Sequence, residues 1–355
     1  MAKKILTIVL IVLGVILLLV IALFAWLTIT EYRPAATEDV EIVRSAGKTE
    51  KPLAAGADGT ELTVLSWNIG YAGLGEGADF FMDGGKGVKS TNKATVQSNL
   101  TAISAYVAGR GADFTLLQEV DSGSTRTYNL NERASFDYAD SAYALNYSCN
   151  FVPYPLPPIG KVHSGIYTLS DHPIAAAQRV ALPSPFSWPV STANLKRCLL
   201  VSRIDIDGTD KQLVLINLHL EAYDDGEGKA AQTAMLKEIM EAEYAAGNYV
   251  IAGGDFNQSF PEALAAYPIK NAELWTPGVL SDDDLSAGWH FAYDVSVPSC
   301  RLLNQPYDPD SPETQYYTID GFILSPNVEL GSVETLDAGF VWSDHNPVLL
   351  QVILK

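Results

Sequence analysis

Cysteine is scarce in this chain. Cys149, Cys198 and Cys300 are the only three in 355 residues, odd in number and without a C-x-x-C spacing, which excludes a disulfide framework or a thiolate zinc centre and predicts buried core thiols. Positive charge is scarce too: 23 Lys and Arg stand against 42 Asp and Glu, a formal net charge of −19. Such a surface repels a phosphate backbone at long range and disfavours tight, non-specific binding to duplex DNA. No repeat and no basic stripe interleaved with aromatics is present, which leaves no nucleic-acid track to follow. Three short signals also fail. Gly87 follows Lys86 where a phosphate-binding loop needs Ser or Thr. Ser164 lacks the G-x-S-x-G elbow, and Asp282, Asp283 and Asp284 lack the spacing of a calcium loop. With 48% hydrophobic and 18% charged residues, the chain is neither disordered nor fibrous.

What is present begins with an apolar run. Ile5 to Ile29 carries no charged side chain, and at the helical rise it spans roughly 37 Å, enough to cross a hydrocarbon core of about 30 Å. Lys3 and Lys4 precede it, and Glu31 and Arg33 follow. The positive-inside bias therefore places the N-terminus in the cytoplasm and the remaining chain outside. A cleaved signal peptide would have a shorter apolar core and an A-x-A-like site after it, so residues 1–30 read as an uncleaved anchor through residues 5–29. Residues 31–60, rich in Ala, Gly, Pro and mixed charge, read as a tether in which Val40 to Val43 has the composition of a short strand. Residues 61–355 are expected to form the working domain.

In that domain β-branched apolar runs alternate with helical patterns. Strands are expected near Leu62–Trp67, Phe114–Leu117, Gly165–Leu169, Cys198–Ile206, Leu213–Leu218, Tyr249–Ala252, Ile319–Leu324 and Pro347–Leu354. Helices are expected over Asn92–Gly109 and Lys229–Gly247, each ending at glycine. The alternation predicts a mixed α/β domain. Tyr71–Ser90 and Asn271–Pro312 resist the pattern and have the character of loops that border a cleft. Tyr154–Gly160 and Phe186–Pro189 read as rigid wall segments.

Several apolar strands end in groups that carry chemistry, in the order Trp67-Asn68-Ile69, Gln118-Glu119, Asn217-Leu218-His219, Gly254-Asp255-Phe256-Asn257, Ile319-Asp320 and Ser343-Asp344-His345. Strand ends of an open α/β sheet gather groups from distant parts of a chain into one cleft. This order resembles the endonuclease/exonuclease/phosphatase superfamily, which includes metal-dependent nucleases, sphingomyelinases and inositol-phosphate phosphatases. The resemblance spans about residues 60–355 and implies a four-layer α/β/β/α sandwich. It implies Glu119 as the principal divalent-metal ligand, with Asn68 beside it and Asp344 as a second metal-side carboxylate. Asp255 then orients or deprotonates the attacking water, and Asn257 holds that water or the phosphate. His219 and His345 contact the scissile phosphate, and Asp320 orients and charges His345.

Hard oxygen ligands suit Mg²⁺ or Mn²⁺, and phosphoester hydrolysis needs both charge neutralisation and an in-line water. The expected activity is therefore that of a membrane-anchored, metal-dependent phosphoester hydrolase working outside the cytoplasm on a lipid headgroup or other small phosphodiester. An extracytoplasmic nuclease is the alternative within the same superfamily, and a non-catalytic surface binding module the alternative outside it. After Trp67-Asn68-Ile69 comes Gly70 and a Gly-rich insertion, and Gly321 follows Asp320. These positions affect substrate contacts more than catalytic identity.

Overall fold

The computed structural model describes residues 2–48, 51–57, 59–90, 92–224 and 226–355; Asp58, in the middle of the tether-like stretch, lies outside them. Chain order gives helix α1 (Ala2–Ile29), strands β1 (Thr37–Asp39), β2 (Ile42–Arg44), β3 (Leu53–Ala54) and β4 (Thr60–Asn68), helix α2 (Lys93–Arg110) and strand β5 (Phe114–Asp121). There follow β6 (Asp140–Val152), β7 (Gly160–Ser170), β8 (Ala176–Ala181), β9 (Cys198–Asp207), β10 (Gln212–His219), helix α3 (Glu227–Ala245) and β11 (Tyr249–Asp255). One sheet runs β1-β8-β9-β10-β11, then Asp320–Leu324 and His290–Ala292, with β3 added beside β9. The other runs Val328–Thr335, Val348–Leu354, β4, β5, β7, β6 and β2.

Each sheet has a parallel pair near its centre, β10 with β11 and β4 with β5, and each pair is bridged by a helix, α3 and α2 respectively. A parallel pair requires such a crossover. Its consequence is positional: both pairs carry their C-terminal ends, and hence Asn68, Gln118, His219 and Asp255, to the same kind of sheet edge.

The period-2 alternation of the strands makes the layers. Along β4, Leu62 and Val64 face the other sheet and pack with Ile204, Leu215, Ile251 and Phe322, while Leu65 and Trp67 point outward onto Val96, Leu100, Ile103 and Val107 of α2. Along β10, Leu213 and Leu215 join the inter-sheet core, and Val214, Ile216 and Leu218 pack with Leu236 and Met240 of α3. The result is the α/β/β/α sandwich. All three cysteines are buried and free.

Asn92 caps α2 by accepting the Thr95 amide at 2.8 Å. The helix runs through Gly109, where the sequence pattern placed its end, and stops at Gly111 in the left-handed region, φ +61°. The strands β6, β8 and Val328–Thr335 were also missing from the sequence reading. Their polar outward positions, such as the exposed Glu329 and Gly331, dilute the apolar signal.

The segment 31–60 differs from a free coil. Thr37–Asp39 extends one sheet by antiparallel pairing with β8, Ile42–Arg44 extends the other beside β6, and Leu53–Ala54 runs parallel to β9. The short strand allowed at Val40–Val43 is therefore one of three stitches on sheet edges, which satisfy backbone groups that edges leave open. The end of α1 is seated too. Leu27, 2% exposed, enters a socket of Cys149, Val152 and Val162, and Trp188 donates its indole N–H to the Thr28 hydroxyl at 3.0 Å.

A buried-edge carboxylate gives the fold an acid limit. Asp113 accepts hydrogen bonds from the Thr63 amide and hydroxyl at 2.9 and 2.7 Å and lies 3.3 Å from His172 Nε2. Burial opposes its charge, but the bonds from His172 and Thr63 outweigh burial and hold the carboxyl down at about 2. A lowered folded-state pKa contributes stability above the unfolded value, near 4, that is lost as pH falls towards the folded one. Allowing for partial solvent screening, the contribution is about 1–2 kcal/mol. Asp113→Asn is expected to flatten the fall of the unfolding midpoint between about pH 4 and pH 2; chemical unfolding across that range checks it, and an unchanged slope would refute it.

Candidate active site

The site forms where the strand ends of both sheets meet. β4 delivers Asn68, whose side-chain amide donates to Glu119 Oε1 at 3.2 Å and to Asp255 Oδ2 at 2.9 Å. Its carbonyl oxygen accepts the Gly70 amide at 3.0 Å. Gly70 has φ +49°, and a Cβ there would lie 2.7 Å from Asp344 Oδ1. The backbone therefore passes the Asp344 carboxylate at a distance that a side chain would block.

Glu119 owes its direction to a bulge. The β5–β7 register shifts between Leu117 and Val120, and Glu119 takes φ +55°. A bulge re-aims one side chain of a strand, and a non-glycine residue in the left-handed region is strained.

Asp255 ends β11, opposite His219 of β10 and Asp320 of the neighbouring strand. Gly254 before it has φ +148°, and a Cβ would lie 2.0 Å from the Leu218 carbonyl oxygen. Gly254→Ala would force the two central strands apart at the point where they present His219 and Asp255. We expect it to cost at least about 3 kcal/mol, in the range reserved for strained backbone and core disruption. Thermal unfolding measures it; a loss below 1 kcal/mol, again on the order of surface substitutions, would show that the strands can part without cost.

Asn257, with φ +51°, donates its backbone amide to Asp255 Oδ1 at 2.9 Å and its side-chain amide to the Leu220 carbonyl at 2.9 Å. His345 places Nδ1 2.8 Å from Asp320 Oδ2, which also accepts the Ser299 hydroxyl at 2.7 Å. Ser343 binds backbone instead of acting as a nucleophile: its hydroxyl donates to the Asn68 carbonyl at 2.8 Å. Trp67 Nε1 donates to the His345 carbonyl at 2.8 Å and locks β4 to that loop.

The two histidines differ in charge. Burial works against the His345 imidazolium, but the carboxylates of Asp320 and Asp344 outweigh burial and hold its pKa well above the usual value. For His219, burial and then the positive charges of Arg197 and His345 act in the same direction and push it well below. Its Nδ1 is buried and has no hydrogen-bond partner among the described residues, while Nε2 lies 3.5 Å from Asp255 Oδ2. Two imidazoles pushed in opposite directions therefore flank one carboxylate. Burial, then the charge of Asp320, raises Asp255 to about 6. Burial raises Asp344 to about 7, with repulsion from Glu119 adding to it against the opposing charge of His345.

The donor chemistry fits a hard divalent cation. Glu119 and Asp344 offer oxygens, whereas Asn68 gives its side-chain oxygen to the Gly70 amide and turns its N–H groups to Glu119 and Asp255, so it stands beside the ligand pair; burial together with mutual repulsion makes the Asp344 charge costly without a counter-ion. Cys300, Asp344 and His345 also bring ligand atoms within 4.8 Å of one another. Burial pushes the Cys300 thiol up to about 12, however, so it is protonated at neutral pH and a poor ligand.

Glu119, His219, Asp255, Asn257, Asp344 and His345 all line one cavity of ≈ 830 Å³. Asn68 and Asp320 stand directly behind it through their bonds to Asp255 and His345. The eight residues singled out from sequence are thus brought together. Three pairs were not foreseen. Arg197 and Glu221 form a buried ion pair at 3.2 Å, and Arg197 Nη1 also donates to the His219 carbonyl at 3.0 Å. Tyr223 donates its hydroxyl to Asp83 at 2.8 Å. Arg126 is held by Asp121 at 2.9 Å and covers the Tyr71 ring. Glu221 follows His219 by two residues, and Arg197 immediately precedes β9; that spacing was the available signal.

A sequence model described as the Endonuclease/Exonuclease/phosphatase family matches residues 65–345. The chain belongs to this family. Its members are phosphoester hydrolases, typically dependent on a divalent metal. No curated protein matches the chain. Among solved structures it is similar to an endonuclease/exonuclease/phosphatase from Beutenbergia cavernae, with 18% identity, TM-score 0.55, and coverage of 83% of this chain and 72% of that one. It is also similar to one from Bacteroides vulgatus, at 14% identity and TM-score 0.52, covering 83% and 100%. A third is ANGEL2, a 2′,3′-cyclic phosphatase solved with adenosine-2′,3′-vanadate, at 14% identity and TM-score 0.54, covering 89% and 98%. At these identities the likeness concerns the endonuclease/exonuclease/phosphatase fold alone.

The irregular segments find their place in this family frame. Phe81, Met82 and Asp83 of the Gly-rich insertion, Tyr154 and Ile159, and Phe186 all form walls of the cavity, as do Trp275 and Leu303 from the long loop before Pro312.

Proposed function

We propose that the chain is a membrane-anchored, Mg²⁺- or Mn²⁺-dependent phosphodiesterase acting outside the cytoplasm. The observation that carries the reading is the convergence of two histidines on one buried carboxylate: His345 Nε2 at 3.8 Å and His219 Nε2 at 3.5 Å from Asp255 Oδ2. His345, charged by Asp320, binds a non-bridging phosphate oxygen and stabilises charge as it develops there. His219 donates to a second oxygen without adding charge. Asp255 orients a water and takes its proton as the new P–O bond forms; its elevated pKa suits that task near neutral pH. Asn257 holds the loop that aims Asp255. The P–O bond to the leaving group breaks on the far side, and the leaving oxygen takes a proton from solvent. Glu119 and Asp344 would hold the metal, with Asn68 beside them fixing Glu119 through its amide, and when bound it would neutralise phosphate charge and polarise the phosphoryl group.

A diester is favoured over a monoester by the charge supply. Two of the guanidinium groups that line the cavity are paired with carboxylates, Arg126 with Asp121 and Arg197 with Glu221, and the Nη groups of the buried Arg301 are committed to the carbonyls of Gly75, Ala78 and Gln305. His345 and the metal then meet the phosphate directly, with the buried Arg301 guanidinium as a further positive charge nearby, a supply suited to a monoanionic phosphate. Lys3 and Lys4 at the start of α1, before the uncharged run of residues 5–29, support an outward-facing domain.

The test uses the full chain in detergent micelles, stripped of metal by chelation, on bis(p-nitrophenyl) phosphate and p-nitrophenyl phosphate. Turnover restored by Mg²⁺ or Mn²⁺ and greater on the diester is expected. Preference for the monoester would overturn the diesterase assignment, and no metal-restored turnover of either would overturn the proposed function as a whole.

A further inference from the structure

The catalytic cavity does not close behind the phosphate site. The same ≈ 830 Å³ space is also lined by Phe24 and Leu27 of α1, together with the apolar Phe81, Ile159, Phe186 and Val190. An apolar channel of this size needs an apolar occupant, because a stably exposed apolar surface marks a binding site.

The position of the channel identifies the occupant's source. Counting from Ile5, the first residue after Lys3 and Lys4, about 20 residues cross the hydrocarbon core, which places its outer boundary near Phe24. The part of the cavity lined by Phe24 and Leu27 is therefore level with the outer edge of the hydrocarbon region. The surface around it is built for that depth. Leu156 is 86% exposed, Tyr154 70% and Trp188 62%. Trp188 sits beside Phe24, ring centroids 6.1 Å apart, and bonds to Thr28. Tyr and Trp prefer the membrane interface, and Lys196, bonded to Glu31 at 2.8 Å, fixes the helix end just above it. Helix, loops and domain thus form one rigid mouth.

We infer that the last turns of the transmembrane helix are a wall of the substrate site, and that the channel takes the apolar chain of a membrane lipid from the adjoining leaflet while its phosphodiester lies between His219 and His345. The inference rests on the phosphodiesterase reading and narrows its substrate to a lipid phosphodiester. The helix is then part of the binding machinery as well as an anchor. The loop bearing Leu156 dips into the leaflet beside the mouth.

The test places the full chain in phosphatidylcholine vesicles and compares hexadecyl p-nitrophenyl phosphate with methyl p-nitrophenyl phosphate, which share a leaving group and differ only in the chain. The hexadecyl ester is expected to show kcat/KM at least about tenfold higher, the value of a single well-buried apolar side chain. Phe24→Ser and Leu27→Ser should each lower the hexadecyl-to-methyl ratio, a readout that a general loss of folding leaves unmoved. Leu156→Asp, outside the cavity, should slow the hexadecyl ester while leaving methyl ester turnover unchanged. Metal-dependent turnover equal on both esters would overturn the inference and leave the phosphodiesterase reading intact. Failure on both esters would overturn the latter. A ratio unaffected by the two α1 variants would show that the helix only anchors.

Discussion

Asp255→Ala is expected to lower kcat on bis(p-nitrophenyl) phosphate by about 10²- to 10⁴-fold, the range that positioned proton transfer supplies. The metal-free protein should be no less stable. Asp255 is buried, and burial with the Asp320 charge raises it to about 6. A carboxyl whose folded-state pKa lies above its unfolded value weakens folding at pH values above both, and strengthens it relative to neutral pH only as pH falls and the group is protonated. At neutral pH the ionised group therefore costs on the order of a few kcal/mol, offset in part by its bonds to Asn68 and Asn257. Loss of rate with a retained or raised melting temperature would separate chemistry from architecture. A rate near that of the parent would remove Asp255 from the reaction. Asp255→Asn keeps the volume, so a matching loss there assigns the effect to the carboxylate.

The gathering of these residues into one cavity was legible in the sequence because each strand of the two central parallel pairs ends in polar residues. Asn68, Glu119, His219 and Asp255 are spread over nearly two hundred positions, yet β-strand direction alone delivers them to one edge. Local rules also announced α2 and α3, through apolar spacing and the nearby glycines. The parts that were not legible depend on partners distant in sequence. Arg197 is an ordinary cation until Glu221 and the His219 carbonyl enclose it. Residues 31–60 have the composition of a linker, and only the open edges of β8 and β6 turn pieces of them into strands. The apolar periodicity of α1 is uniform around its axis, so nothing in it marks Phe24 and Leu27 as the positions that meet the cavity. That knowledge resides in Cys149, Val152 and Trp188, more than a hundred residues away.

Glu119 carries a second large effect with two opposite signs. Its φ of +55° lies where glycine is at ease and a side chain is strained. Its carboxylate also adds to the repulsion that helps raise Asp344. Glu119→Gly should therefore make the metal-free protein more stable, by about 1 kcal/mol from backbone relief. It should also raise the Mg²⁺ or Mn²⁺ concentration for half-maximal turnover by at least about tenfold, because even groups that only support metal ligands are worth that much. Glu119→Gln divides the two contributions. It retains the strained backbone and removes the charge, so the metal requirement should rise without the full gain in stability. Thermal unfolding in chelator and a metal titration of turnover read the two effects independently. A more stable glycine variant with an unchanged metal requirement would leave the bulge as a feature of the fold alone and move the metal to Asp344 and its neighbours. A less stable one would mean that the bond from Asn68 to Glu119, at 3.2 Å, holds the β4 and β5 ends together more strongly than the strained backbone pushes them apart. Stability gained at the expense of turnover is the pattern of a site whose strain is retained for its chemistry.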